Sequence, residues 1–385
     1  MRLSSLPTAL LAFAGAAQSL AVEKRDLLSD LQNQALENLK AAEKNGTLEK
    51  RGSCSIFNAS VRKDWAIMSA KERKAYISAV QCMFDAPSQS DPVLVPGAKT
   101  RYDDFVAQHI NQTLTIHGTG NFLSWHRYFV HGYEKALREE CRYKGYQPYW
   151  NWFAHTDDLT KHPVFDGSAT SMGGDGEYVK HNGSAGGKGT IALPSGAGGG
   201  CIKDGPFRNL QVNLGPVSPA MAGEVPVKSP LEWNPRCAKR DLTSYASSTW
   251  MTFENLYNVT LGTASKNVGR FQDELQGRFP DGFLGMHGAG HFAIGGDGGD
   301  VFSSPNDPAF FLHHAMVDRV WWLWQALHLD QAKSVSGTIT IFNQPPSRDA
   351  RLDDPIQMNY LNLEPTTIED MMSTLDGEPL CYIYL

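Results

Sequence analysis

Apolar residues recur at three- and four-residue spacing in several segments, which predicts amphipathic helices. The clearest segment runs from about residue 124 to 141, where an inward stripe is formed by His126, Val130, Tyr133 and Leu137. Similar spacing, capping residues or both predict five further helices. The first is opened by the capping box Ser69-Ala70-Lys71-Glu72, and the second runs from Asp103 or Asp104 to about Gln112. The others are predicted over residues 249–260, 268–278 and about 308–328.

Two parts of the chain lack this periodicity. Residues 166–205 are dominated by glycine and serine, with few large apolar side chains. This composition predicts a long surface loop, which a disulfide at Cys201 could pin. The stretch after Ser334 has strand-like and irregular character. The chain as a whole is therefore predicted to be mainly helical, with long loops and little β-structure.

The N-terminus has the pattern of a secretory leader. An apolar stretch from about Leu6 to Ala17 follows a positive start, and Ser19-Leu20-Ala21 supplies the small residues of a cleavage site. We predict that residues 1–21 are a signal peptide; a buried N-terminal helix is the alternative. No later run reaches the roughly 18 apolar residues of a membrane span.

A second processing signal follows the predicted leader. Lys24-Arg25 and Lys50-Arg51 are dibasic pairs, and the residues between them are polar and helix-prone. We interpret residues 22–51 as a pro-segment that is removed after Arg51, which leaves residues 52–385 as the mature domain. The alternative is a solvated helix that carries these pairs by chance.

Composition and cysteine content narrow the class of protein. The 385 residues carry a net charge of −6 with no basic block or acidic tail, so nothing indicates nucleic acid or a membrane surface as a partner. Six cysteines suit an oxidising compartment, and five Asn-x-Ser/Thr sequons agree with a secreted, extracellular glycoprotein. The sequence does not choose among the cysteine pairings. Cys54 and Cys381 lie near the two ends of the predicted mature domain, and we hypothesise a disulfide between them.

Two groups of histidines carry most of the chemical information. The first reads His109-x7-His117-x8-His126. The second reads His287-x3-His291, with His314 on a later helix. Histidines four apart share one face of a helix, so His287 and His291 could bind one metal. His117 and His126 can converge only if His117 lies in the loop before the helix, which the following glycines favour.

Neutral imidazoles suit copper, zinc, iron or nickel. Neither group has the Glu-x-x-His of carboxylate-bridged di-iron bundles. The His-Glu-x-x-His of zinc peptidases is also missing, because Gly288 follows His287. Two sites of three histidines favour a copper pair that binds dioxygen over zinc and over purely structural histidines. On the helix of His314, Phe310 and Asp318 lie four residues before and after it and share its face.

At these motifs the chain resembles a known family. HGTGNFLSWHRYFVHGYE and NDPAFFLHHAMVDRVWWLWQ resemble the two copper motifs of tyrosinases, catechol oxidases and molluscan haemocyanins. The resemblance covers residues 52–385 and implies three histidine ligands for each copper. Copper A would be held by His109, His117 and His126, and copper B by His287, His291 and His314.

Other residues match the family pattern as well. The resemblance places Phe310 over the copper pair and makes His313, beside His314, a non-ligand. Tyr382-Ile383-Tyr384 resembles the family's Tyr-x-Tyr motif, against which Arg62 would pack. The other five histidines are interpreted as surface or structural residues, and these are His131, His155, His162, His181 and His328.

The resemblance implies an antiparallel four-helix bundle that holds a type-3 pair of copper ions. It also implies a catechol oxidase or tyrosinase-like polyphenol oxidase, whose partners are dioxygen and small phenolic substrates. Such an enzyme oxidises o-diphenols, with o-aminophenols as further substrates, to o-quinones. A haemocyanin-like oxygen carrier is the main alternative, and a zinc hydrolase is a third hypothesis.

Two departures from the family pattern refine this expectation. Thr115 stands where many fungal relatives carry a cysteine in a thioether link to the second ligand, so we expect no such crosslink. Gly288 stands where tyrosinases often carry Asn or Asp, which with a nearby Glu holds a water that deprotonates monophenols. Glu274 and Gln276 are the near candidates for that partner. We therefore expect weak hydroxylation of monophenols.

Overall fold

The computed structural model describes residues 28–48 and 52–385. The chain divides into two compact units, Met1–Glu49 and Lys50–Leu385. Within the first unit, helix α1 spans 28–44. The predicted signal peptide and both ends of the predicted pro-segment lie outside the described residues. No helix in the described part of the chain is long and apolar enough to cross a bilayer.

The second unit is mainly helical, as predicted. Its α-helices, in chain order, are α2 (Ala70–Asp85), α3 (Arg101–Ile116), α4 (Phe122–Glu139), α5 (Ser244–Trp250), α6 (Phe253–Thr260), α7 (Val268–Gln276), α8 (Gly285–Ile294) and α9 (Phe310–Leu327). The Ser69 capping box opens α2, as the sequence predicted. Helices α4 and α9 lie within two residues of their predicted bounds at each end.

The start and end of α3 differ from the prediction. Its N-cap is Thr100, whose side chain accepts a hydrogen bond from the backbone N–H of Asp103 at 3.2 Å. Asp103 completes the capping box by accepting from the Thr100 N–H, and Asp104 pairs with Arg101 at 3.1 Å instead of capping the helix. The helix continues past Gln112, and two side chains of its last turn, Thr113 and Ile116, remain buried.

Helices α3, α4, α8 and α9 form the bundle that positions the site. Helix α4 packs along α9, α3 packs against α4, and α8 packs against α9. Every residue from Phe310 to Ala326 of α9 is buried, so this helix is the centre of the domain. Aromatic rings fill the space between the helices, as where Tyr133 stacks on Phe311 with ring centroids 3.5 Å apart.

The strands are short and paired. β1 (Ser60–Arg62) runs parallel to β10 (Tyr382–Tyr384). The antiparallel pairs are β2 (Gly176–Tyr178) with β5 (Gly199–Ile202), β3 (Ser184–Gly186) with β4 (Ile191–Leu193), β6 (Gln211–Val212) with β7 (Arg236–Cys237), and β8 (Pro355–Ile356) with β9 (Thr366–Thr367). The glycine-rich segment 166–205 is thus more ordered than predicted, because β2 to β5 form ladders within it.

Three disulfides use all six cysteines. Cys54 pairs with Cys381, as hypothesised, and this bond joins segments 327 residues apart. Cys82 pairs with Cys141, and Cys201 pairs with Cys237. The last bond pins the end of the glycine-rich segment, as the sequence suggested. No cysteine remains free for a thioether link to a histidine.

A buried ionic cluster joins the chain ends to the bundle. Asp318 on α9 accepts hydrogen bonds from the hydroxyls of Tyr382 and Tyr384, each at 2.6 Å, and pairs with Arg127 of α4 at 2.6 Å. Arg62 also donates to Asp318, and its guanidinium lies 3.7 Å from the Tyr382 ring centroid. Burial alone would raise the pKa of Asp318, but the two arginines and two hydroxyls outweigh it and lower that pKa.

Candidate metal centre

Helices α3 and α4 bring the first three histidines together. His109 lies within α3, His117 caps its C-terminus, and His126 lies in the second turn of α4. One ring nitrogen of each lies within 4.8 Å of the others. Gly118 adopts a positive φ of 57° and turns the chain away from α3, so that His117 faces His126 from outside the next helix.

Helices α8 and α9 supply the second group. The Nε2 atom of His291 lies 3.1 Å from the Nε2 atoms of both His287 and His314. The two groups face each other, because the ring of His126 stacks on that of His314 with centroids 4.5 Å apart. The structure therefore brings together all six predicted ligands.

Backbone carbonyls orient four of these rings. The Nδ1 atoms of His109, His117, His126 and His291 lie 2.7–3.0 Å from the carbonyl oxygens of Phe302, Thr113, Phe122 and Gly298, respectively. A carbonyl can only accept a hydrogen bond, so in the neutral ring Nδ1 carries the proton. The lone pair of each ring then resides on Nε2, and this is the atom that could bind a metal.

His313 belongs to the same cluster, since one of its ring nitrogens lies within 4.8 Å of those of the second group, but its hydrogen bonding differs. Its Nδ1 is 3.1 Å from the indole Nε1 of Trp152, which can only donate. The Nδ1 lone pair is thus occupied and the proton of the neutral ring resides on Nε2. The ring also packs on Gly290, where an added Cβ would lie 1.9 Å from it. These contacts support His314, rather than His313, as the ligand.

Burial keeps the imidazoles neutral. Removal from water, followed by the proximity of the other histidines, lowers the pKa of His109, His126, His287 and His314 well below the usual value. Burial lowers the pKa of His117 to about 4 and that of His291 to about 3. Since metal binding requires unprotonated nitrogen, the rings are ready to act as ligands at neutral pH.

The donor set fits a pair of coppers. Each group consists of histidines alone among the described residues, and imidazole is a preferred copper ligand. The Nε2 atoms of His109 and His126 are buried and have no hydrogen-bond partner within the described chain. A buried polar atom without a partner is costly, and a bound metal would satisfy it.

Phe310 and Phe122 close the space around the rings. Phe310, the first residue of α9, stacks on His314 with centroids 4.2 Å apart and lies edge-on to His109 at 5.2 Å. Phe310 therefore contacts both groups. Phe122 lies 4.8 Å from the rings of both His126 and His287. These apolar rings exclude water from the buried side of the site.

Gly288 faces a small space beside His287. A Cβ at this position would meet the Leu284 side chain at 3.1 Å and the carbonyl oxygen of Gln276 at 3.6 Å. The side chain of Gln276 accepts a hydrogen bond from the N–H of Gly118, at 2.9 Å. Of the two candidates from the sequence, Gln276 therefore lies beside both histidine groups. Its neutral amide cannot serve as a base.

Glu274 points elsewhere. Its carboxylate forms an ion pair with Arg278 and accepts a hydrogen bond from Asn258 at 3.0 Å. These partners occupy both of its oxygens. Both residues lie on α7, and positions two apart on a helix point to nearly opposite sides, so only one can face the site. Spacing alone did not show which one, because that depends on how α7 packs in the domain.

Phe342 is a site residue that the sequence did not indicate. Its N–H donates to the carbonyl of Gly118 at 3.0 Å, and its ring packs where a Gly118 Cβ would be. The ring is 50% exposed and lies edge-on to Phe279 with centroids 6.1 Å apart. Phe342 also adopts a φ of 50°, which is strained for a residue with a side chain. No sequence motif near Phe342 would have indicated that it lies beside Gly118.

The remaining histidines have structural surroundings. His328 Nε2 lies 2.8 Å from the carbonyl of Thr260, and His181 pairs with Asp241 at 3.1 Å. His131 stacks on Tyr128 with ring centroids 6.0 Å apart, and His155 lies edge-on to the buried His162. None of these five belongs to a histidine group that could hold a metal within the described residues.

Comparisons with known proteins match this geometry. Residues 99–327 match the family model described as the common central domain of tyrosinase. The chain is 40% identical over 318 residues to the tyrosinase-like protein orsC of Emericella nidulans, which covers 77% of this chain and 82% of that one. It is 38% identical over 349 residues to N-acetyl-6-hydroxytryptophan oxidase ivoB of the same organism, covering 86% and 93%.

A solved structure is also similar over almost all of its length. A glycine-to-asparagine variant of the polyphenol oxidase from Thermothelomyces thermophila superposes with a TM-score of 0.85 and 40% identity. The match covers 93% of this chain and 97% of that one.

Proposed function

The chain belongs to the tyrosinase family of oxidoreductases, which hold a type-3 pair of coppers, and on this premise we propose which reaction it catalyses. The proposed reaction is the dioxygen-dependent oxidation of o-diphenols, and of o-aminophenols, to o-quinones, with weak hydroxylation of monophenols. One observation carries the proposal. Two groups of three predicted ligands face each other, all of them buried except the partly exposed His291, and hydrogen bonds direct the Nε2 atoms of four of these rings into the site.

Each predicted ligand has a defined task in this proposal. His109, His117 and His126 would hold one copper, and His287, His291 and His314 the other. The copper pair, when bound, supplies the redox chemistry by which dioxygen accepts the electrons of the substrate. The carbonyls that bind Nδ1 fix the ring orientations before the metals arrive, which lowers the reorganisation that binding requires.

Access is expected from one side only. The rings of His109, His126 and His314 are at most 2% exposed, whereas His117 and His287 are 6% and 7% exposed and His291 is partly exposed. A phenolic ring would therefore approach over His287 and His291. Phe310 shields the opposite side and keeps water away from the reacting ring.

The weak monophenol activity follows from what surrounds Gly288. A monophenol must lose its proton and be oriented before hydroxylation, which favours a positioned base. Gly288 offers no side chain to hold a water, and the nearby Gln276 is neutral. Glu274 is already paired with Arg278. A diphenol needs less help, because a bound metal ion itself acidifies a hydroxyl.

Apolar side chains next to the histidine groups support a preference for substrates with apolar ring substituents. Phe342 packs against Gly118 and lies edge to face with Phe279, and the buried Leu284 packs beside Gly288. A catechol with an aromatic or alkyl substituent could pack on these rings. A relative is named for the oxidation of N-acetyl-6-hydroxytryptophan, in which the phenolic ring is part of a larger fused indole.

A substrate panel tests the proposal. The copper-loaded protein is mixed with 4-methylcatechol, 2-aminophenol or tyrosine, and oxygen uptake is followed with product absorbance. We expect fast oxidation of the first two compounds and slow hydroxylation of tyrosine. The metal-free protein and a His291→Ala variant are the controls. A protein with two coppers that binds oxygen reversibly but oxidises no member of the panel would refute the proposal and favour the oxygen-carrier hypothesis.

We also propose that the protein is secreted and processed. The leader pattern of residues 1–21 and the dibasic pair before Gly52 support this route, and three disulfides suit an oxidising compartment. The mature chain, residues 52–385, is expected to begin at or within a few residues of Gly52. N-terminal sequencing of material from the culture medium checks this, and a chain that begins at Val22 would contradict the pro-segment.

A further inference from the structure

A polar cavity of about 410 Å³ lies between α3, the loop before it and residues 359–362. None of the predicted copper ligands lines it. Leu94 is its single aliphatic lining residue, and six of its residues are amides, namely Gln89, Gln108, Asn111, Gln112, Asn359 and Asn362. A wall of carboxamides offers donors and acceptors side by side, which matches the hydroxyl and acetamido groups of a sugar.

The walls of this cavity are held in place. Gln112 donates to the carbonyl of Gln357 at 3.0 Å and accepts from the Trp125 indole at 2.7 Å. Gln108 accepts from the backbone N–H of Tyr360 at 3.1 Å. These bonds tie α3 to the segment on the other side of the cavity. A ligand would therefore meet a preformed surface, which reduces the entropy lost on binding.

Asn111 and Asn359 differ from the other four amides, because neither side chain has a hydrogen-bond partner among the described residues, and of these two only Asn111 begins a sequon. Its side chain is exposed and has no hydrogen-bond partner among the described residues. It also begins the sequon Asn111-Gln112-Thr113, which is an acceptor for N-linked sugar in a secreted protein. The free Nδ2 of this sequon thus lies at the wall of an amide-lined cavity.

Other sequons do not combine an amide that lacks a hydrogen-bond partner with a position in the cavity wall. The amide of Asn258 donates to Glu274 at 3.0 Å and accepts from the N–H of Ala264 at 3.3 Å. The amide of Asn58 donates to the carbonyl of Ser53 at 2.8 Å. Asn182 is exposed like Asn111, but it does not line the cavity. Asn182 therefore provides a matched comparison.

We propose that Asn111 carries an N-linked glycan and that its first N-acetylglucosamine occupies the amide-lined cavity. The donor would be an oligosaccharide on a polyprenyl diphosphate. The Asn111 Nδ2 forms a bond to C1 of the sugar and loses one proton, while the bond from C1 to the diphosphate oxygen breaks. This transfer precedes folding, so the final position of Asn111 on a helix does not hinder it.

The seated sugar would stabilise the fold. Its hydroxyls and acetamide would bridge α3 to residues 359–362, across the cavity that now separates them. Since α3 also carries His109 and ends at His117, the glycan would stiffen one side of the histidine groups. This inference does not depend on the proposed oxidation, because it concerns only secretion and stability.

Peptide mapping and thermal unfolding test the proposal together. The full chain is secreted from a eukaryotic host, and site occupancy is measured after enzymatic deglycosylation in heavy-oxygen water, which labels each former glycosylation site. Asn111→Gln is compared with Asn182→Gln. We expect a glycan at Asn111, a Tm lowered by about 2–4 °C in Asn111→Gln, and a shift under about 1 °C in Asn182→Gln.

A trimmed form separates the first sugar from the rest of the glycan. Endoglycosidase H leaves a single N-acetylglucosamine on the asparagine, and we expect this form to keep the Tm of the intact protein. An unmodified Asn111 in secreted protein would overturn the proposal. So would equal Tm values for the two variants, or a trimmed wild type that unfolds at the same temperature as Asn111→Gln.

Discussion

Replacing Gly288 by asparagine tests how the site discriminates between phenols. The new Cβ would meet the Leu284 side chain at 3.1 Å, and Leu284 is fully buried. Such overpacking costs about 1–3 kcal/mol, from which the higher helix propensity of asparagine recovers about 0.3 kcal/mol. We therefore expect the free energy of unfolding to fall by about 0.7–2.7 kcal/mol and the Tm by about 1–4 °C.

The expected gain in monophenolase activity is limited by Gln276, which lies next to the new asparagine side chain. The amide introduced by Gly288→Asn could hold a water but not deprotonate it, and Gln276 is neutral. Changing Gln276 to Glu adds a carboxylate whose oxygen can still accept the Gly118 N–H, now bound at 2.9 Å. A positioned base is worth about 10²–10⁴ in rate, so we expect Gly288→Asn with Gln276→Glu to raise the ratio of monophenolase to diphenolase activity by about tenfold or more. The single Gly288→Asn variant should raise it less.

Steady-state rates with tyrosine and L-DOPA measure this ratio in proteins verified to hold two coppers. Gly288→Ala is the matched control, since it adds the same Cβ and much of the same steric cost without a hydrogen-bonding group. A ratio that rises equally in Gly288→Ala would show that space, and not a held water, controls hydroxylation. An unchanged ratio in the fully loaded double variant would refute the reasoning.

The other predictions concern single contacts. His314→Ala should lower copper below two per chain and abolish oxidation, whereas His313→Ala should retain two coppers by metal analysis; equal copper loss in both would contradict the Trp152 argument. Asp318→Asn should cost about 3–5 kcal/mol in denaturant unfolding, because it leaves the buried Arg127 without its counter-charge and leaves Arg62 with Glu134 alone. Because the pKa of Asp318 is lowered in the folded state, the wild type has this extra stability above the unfolded-state pKa of about 4 and loses it as the pH falls further. The free energies of unfolding of the wild type and Asp318→Asn should therefore converge only in acid. Phe342→Ala should raise KM for 4-tert-butylcatechol more than for catechol, and equal changes in both would count against a substrate-contacting wall.

Helical spacing was sufficient to find most of the bundle. The stripe through His126, Tyr133 and Leu137 predicted α4 within two residues at each end, because these positions lie on one buried face of the helix. The prediction for α3 was less accurate, since Asp103 serves in its capping box while Thr100 is the cap itself. The segment 166–205 showed no apolar period, and its short ladders depend on partners elsewhere in the same segment.

By itself, the sequence determined the helical class of this protein and proposed the six histidines, because spacing along a helix and the two family motifs are local properties. The tertiary structure decided the rest of the site. Trp152, 161 residues from His313 in the chain, donates a hydrogen bond to Nδ1 of that ring, and the packing of α7 places Gln276 rather than Glu274 beside Gly118. The pairing of Cys54 with Cys381 likewise joins the two ends of the second unit. Hydrogen bonds and packing between residues far apart in the chain fix these choices, and local spacing does not contain them.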